Sequence, residues 1–103
     1  MSNITKETGN IHLGGVLKLQ KQESSPGNSL NHGYVFAKEE DLSTHLYVMD
    51  SEGNETKISP HNKEGEWEYY CKNSKTGKVV RINMEKMIRK LEELTGEKFI
   101  EES

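Results

Sequence analysis

The chain has 103 residues, of which 31% are hydrophobic and 30% charged, with a net charge of −3 and a mean hydropathy of −0.89. That length allows one domain, and the apolar share falls below the roughly 45–50% of a typical globular chain, a count that includes glycine. Lysines and arginines are interleaved with acids, so no basic field exists to neutralise many phosphates, and sequence-independent nucleic-acid binding is excluded as an expectation.

Residues 1–12 are polar, with Ile4 and Ile11 as the only sizeable apolar anchors, and read as an extended N-terminal arm. Its opening residues lack the apolar stretch of a secretion signal, and no run approaches the ~20 apolar residues that span a bilayer, so no membrane partner is expected. After Gly14-Gly15, Val16 to Lys21 reads as a first strand. Gln22 to His32, rich in serine, proline, glycine and asparagine, reads as a loop.

Tyr34-Val35-Phe36-Ala37 and Leu46-Tyr47-Val48-Met49 are rich in aromatic and β-branched residues and predict an antiparallel hairpin, with Lys38 to Thr44 as its polar connection. A second hairpin turns at Asp50 to Asn54 and returns through Thr56-Lys57-Ile58, ending before Pro60, which has no amide hydrogen to donate. A third pairs Glu66–Lys72 with Lys78–Ile82 across Asn73 to Gly77. Strand alternation divides Trp67, Tyr69 and Cys71 from Glu66, Glu68, Tyr70 and Lys72, and the first set is expected to be the buried one.

Beyond Ile82 the period lengthens. Met84, Met87, Leu91 and Leu94 follow at steps of three, four and three, with Ile88 widening the stripe. Asn83 is a good N-cap, Glu85 puts negative charge in the first turn, and Gly96 suits a left-handed C-cap, so one helix over 84–95 is predicted. Phe99 and Ile100 are placed to fold back on its last turn. The fold class is therefore α+β, mostly β: one domain over 13–103 of antiparallel hairpins and a C-terminal amphipathic helix, its thin core completed by oligomerisation.

Chemistry-bearing residues are sparse. His12, His32, His45 and His61 sit at no local ligand spacing, so no metal or other cofactor is expected. Asp50, Glu52 and Asn54 alternate as in a calcium loop, but the twelfth position from Asp50 is His61 and not a bidentate glutamate. Glu66 and Glu68 read as the wet side of a strand, Cys71 as a small hydrophobe without an activating base and without a disulfide partner, and Lys75-Thr76-Gly77-Lys78 as a turn. No nucleophile, base and orienting group can be named together, which argues against an enzyme. Tyr34, Tyr47 and Tyr70 are the candidates for exposed binding aromatics.

The order Gly15-Val16-Leu17-Lys18-Leu19, a Ser-Pro-Gly loop, Gly33-Tyr34-Val35-Phe36, His45 to Asn54 and Lys57-Ile58-Ser59 resembles small β modules at the ends of phage fibre, tail and head-decoration proteins. It is similar, too, to the trimerising β-hairpin propeller that ends the fibritin whisker. The likeness covers about residues 13 to 59. It implies a homotrimeric virion protein, assembled in the host cytoplasm, in which Val35, Leu46, Val48, Met87, Leu91 and Leu94 meet other copies and the arm meets other virion structural proteins. The competing reading is a free-standing cellular protein- or ligand-binding domain that uses an aromatic strand face.

Overall fold

In the computed structural model, which describes residues 9–103, six strands and one helix follow in chain order. They are β1 (Lys21–Gln22), β2 (Tyr34–Glu40), β3 (Ser43–Met49), β4 (Glu55–Lys57), β5 (Glu68–Lys72), β6 (Val79–Asn83) and α1 (Met84–Thr95). The strands form one sheet in sequence order, antiparallel throughout except for the short parallel pairing of β1 with β2. The α+β, mostly β fold is thus as expected. Most of the arm, residues 1–8, lies outside the described residues, and Gly9 to His12 are exposed.

Two elements differ from expectation. Val16 to Gln20 forms no strand; only Lys21 and Gln22 pair, opposite Ala37 and Lys38. The polar stretch 38–44 is not a loop: β2 and β3 pair through Glu40↔Ser43, leaving a two-residue turn at Asp41-Leu42. Both turn residues have positive φ, 51° and 67°, because such a tight turn must match the right-handed twist of its strands. Charge marked this stretch as a connection, but its charges are needed inside.

The sheet is curled, and the curl decides which face is core. On the concave side Phe36 and Tyr47 stack with ring centroids 5.6 Å apart, and Tyr70 meets Tyr47 edge-on at 5.9 Å. Met49 completes this cluster and Tyr34 packs against it. Arg81 on β6 reaches Glu40 on β2, three strands lying between, which only a strongly curved sheet permits. The Cα radius of gyration is 17.4 Å, against about 13 Å for a compact chain of this length.

Helix α1 starts where the sequence places it. The Asn83 side chain accepts from the Lys86 amide at 2.8 Å, and Gly96 closes the other end at φ 74° with its amide on the Glu92 carbonyl. Trp67 fixes the helix to the sheet, its carbonyl accepting from the Met84 and Glu85 amides. Phe99 and Ile100 do return to the helix, held by their amides on the Glu92 carboxylate at 2.6 and 2.9 Å. No residue of α1 is buried.

Leu42 sits almost wholly exposed in a backbone region that disfavours branched L-residues. Leu42→Gly should therefore raise stability by roughly 0.5–1 kcal/mol. A rise in the urea midpoint at unchanged slope checks it.

Candidate functional site

Alternate residues of each strand share a face, and the register assembles two surfaces of opposite character. The concave one carries charge among its aromatics. Lys57 is only 4% exposed and donates to Glu68 Oε2 at 2.7 Å, Glu40 Oε2 at 3.0 Å and the His61 carbonyl at 3.1 Å. Arg81 binds Glu40, approaches Glu68 at 3.6 Å and lies 4.8 Å from the Tyr70 ring centroid. Lys38 pairs with buried Glu55 at 3.0 Å, donates to Ser25 at 2.8 Å and stands 4.8 Å over Tyr47.

This cluster corrects the expected faces of β5. Glu68 and Tyr70 are buried, while Trp67 and Tyr69 are 46% and 44% exposed and Cys71 is half-buried. A glutamate displaces a tryptophan from the interior because Lys57 and Arg81 neutralise it there and the ladder pairs Glu68 with Asn83 and Tyr70 with Arg81. Of the three tyrosines expected to be exposed, Tyr47 is 1% and Tyr70 6% exposed, so both are core; Tyr34 is half-buried. The exposed aromatics are Trp67 and Tyr69. The signal for this arrangement was present: Glu55 and Lys57, Glu68 and Tyr70, and Arg81 alternate in step, with opposite charges on neighbouring strands.

Chemically the cluster is a clamp. Burial disfavours the Glu40 carboxylate, but the hydrogen bonds of Arg81 and Lys57 outweigh it and hold its pKa below the ordinary value. Burial likewise works against the Lys57 ammonium, and Glu68 and Glu40 overcome it and hold that pKa high. A general acid or base needs a pKa moved towards neutrality, and these groups move the other way. Among the described residues no buried side-chain nitrogen or oxygen lacks a partner, and no group of three His, Cys, Asp or Glu is placed to hold a metal ion. No helix is long and apolar enough to cross a membrane. The Asp50 carboxylate accepts from the Glu52 and Asn54 amides and from the Asn54 side chain, which uses its oxygens to build the hairpin turn.

The convex face is the uncovered surface. Val35, Leu46, Tyr69, Val80 and Ile82 are exposed on it, with Val48 half-buried among them and Trp67 continuing the β5 alternation. Met87, Leu91 and Leu94 are exposed on α1. The structure thus brings Val35, Leu46 and Val48 together on one face and leaves all three expected helix residues open. Exposed apolar side chains in this number exceed the single scattered ones usual on a protein surface. No family model matches the chain, and no curated protein or solved structure is significantly similar to it.

Removing the Lys57 cation leaves Arg81 alone to neutralise the Glu40 and Glu68 carboxylates. Lys57→Met should lower stability by about 3–5 kcal/mol, and adding Glu40→Gln and Glu68→Gln should recover part of the loss. A triple variant no better than Lys57→Met alone would mean that packing, not charge, holds the clamp.

Acid should lower stability over two ranges of pH. Burial first, and the Lys57 charge second, depress the His45 pKa, so protons favour the unfolded chain as pH falls below its ordinary histidine value of about 6.5. The stability due to Glu40 is present above about pH 4.3, the ordinary glutamate value, and is lost as pH falls through its depressed folded value. Urea midpoints across pH 3–8 check this, and His45→Gln should remove the loss in the upper range alone.

Proposed function

We propose that this chain is a virion structural protein that acts by self-assembly, as a trimeric fibre or capsid-decoration module. The uncovered convex face, with the open apolar side of α1, carries the reading. In the described residues only Phe36, Ala37, Tyr47, Met49 and Tyr70 are buried hydrophobics, while a larger number of sizeable apolar side chains remain in water. An exposed apolar surface of this extent is what assembling proteins display, and copies of the same chain are its simplest cover. The place on a virion, and the number three, rest on the resemblance of residues 13 to 59 to phage fibre and decoration modules.

In this reading the module has no catalytic role, needs no cofactor and binds neither nucleic acid nor membrane. It assembles in the host cytoplasm, and residues 1–12 reach other virion structural proteins. The helix is part of the interface. Its stripe spans less than two heptads, too short for a free coiled coil, so the sheet face must share the contact.

One observation favours a second reading. Trp67 and Tyr69 are exposed on the same strand face, as in a protein- or ligand-binding surface of a free-standing cellular domain. The two readings separate on mass. Light scattering over a dilution series should give three times 11.8 kDa, and Leu91→Asp or Leu94→Asp should return 11.8 kDa. An intact oligomer in both variants removes the helix from the interface, and a monomeric wild type leaves the binding-domain reading, in which Trp67→Ser abolishes ligand affinity at unchanged mass.

A further inference from the structure

Leu13 to Gln20 holds the strand-forming run Val16-Leu17-Lys18-Leu19, yet it pairs with no strand, and Val16 is 89% exposed. Leu13 and Leu17 are exposed beside it. At the opposite edge of the sheet, β6 pairs with β5 on one side and, among the described residues, with no strand on the other. Proteins usually blunt such an edge with proline or an outward charge. Strand β6, Val79-Val80-Arg81-Ile82-Asn83, has no proline, and its only charge turns inward to Glu40 and Glu68. An unpaired strand-former and an unprotected strand edge therefore coexist in one chain.

We infer that residues 13–20 of one copy add as a strand to the β6 edge of a second copy. The inference rests on the self-assembly reading and names the contact that makes it directional. Within one copy, Gln20 is followed at once by Lys21, which is fixed beside Ala37 on β2 with no residue between to serve as a linker, and among the described residues the segment pairs with no strand of its own chain. A neighbour's edge has no such tether.

The contact is continuous with the convex face, to which Val80 and Ile82 belong. Leu13, Val16 and Leu17 add three exposed apolar side chains to it. Main-chain hydrogen bonds supply the rest, as in other strand additions. Because the donor is at one edge and the acceptor at the other, the contact is head-to-tail, and such contacts close into rings when the rotation per copy allows.

The test uses the full chain with Cys71→Ser. Val16→Cys and Leu17→Cys proteins are each mixed with Val80→Cys protein, treated with a short bismaleimide and run on a denaturing gel, beside a Lys63→Cys control on an exposed turn. Expected is a two-chain product at least tenfold above the control for at least one arm position, the two positions covering both strand faces. Leu17→Pro, which removes an amide from the ladder, should weaken association at least tenfold with unchanged melting of the folded monomer. An assembly intact by light scattering but without cross-link above control overturns the arm contact and leaves self-assembly standing. A full-length chain that stays monomeric at every concentration overturns both.

Discussion

The buried ammonium of Lys57 is the constraint on which this structure depends. A charge 4% exposed must find its counter-charges inside, and they come from β2 and β5, on either side of the β3–β4 pair. The sheet has to curve for Glu40 and Glu68 to converge on one nitrogen, and Arg81 reaches the same two carboxylates from β6. Three carboxylates, at positions 40, 55 and 68, meet three cations, at 38, 57 and 81, so the clamp itself carries no net charge. The desolvation cost is offset only because the hydrogen-bond geometry is complete.

The clamp has a consequence for the other face. Once charge occupies part of the concave side, the room left for apolar packing is a small aromatic cluster, which fixes register through ring contacts more than it adds buried area. The wide apolar side chains, Trp67, Tyr69 and Val80 and Ile82 of β6, are placed on the convex side by strand alternation alone. Helix α1 does not cover them: it is tied to β5 at its first turn and buries no residue of its own. The same residues that make the sheet curve therefore leave its convex apolar side chains in water.

Much of this could be read in the sequence where one local rule governs. Asn83, Glu85 and Gly96 set the ends of α1 by hydrogen bonding within a few residues, and Asp50 to Asn54 closes its turn in the same way. The hairpins followed from aromatic and β-branched runs. What hydrophobicity alone misread was the direction of β5, since burying Glu68 is favourable only with Lys57 and Arg81, 11 residues before and 13 after it, already on adjacent strands. For the same reason Lys38 to Glu40 looked like loop and proved to be strand. The exposed apolar surface is half legible in the pattern: Val35, Leu46, Met87, Leu91 and Leu94 are exposed, whereas hydrophobicity and alternation put Trp67 and Tyr69 in the core and Tyr47 and Tyr70 at the surface, the reverse of what the structure shows.

The two kinds of uncovered surface limit how copies can meet. A two-fold pairing of convex faces would bury Tyr69 and Val80 against their equivalents, but it would leave the β6 edge and the 13–20 segment in water, because donor and acceptor lie at opposite edges of each sheet. A head-to-tail arrangement satisfies the edge, the segment and the face at once, and every copy in a closed ring gives one strand and receives one. Odd copy numbers are then as natural as even ones. A strand added at the β6 edge would extend a sheet already curved around Lys57, so in the proposed assembly the ion clamp inside each copy would bear on the angle at which the next is added.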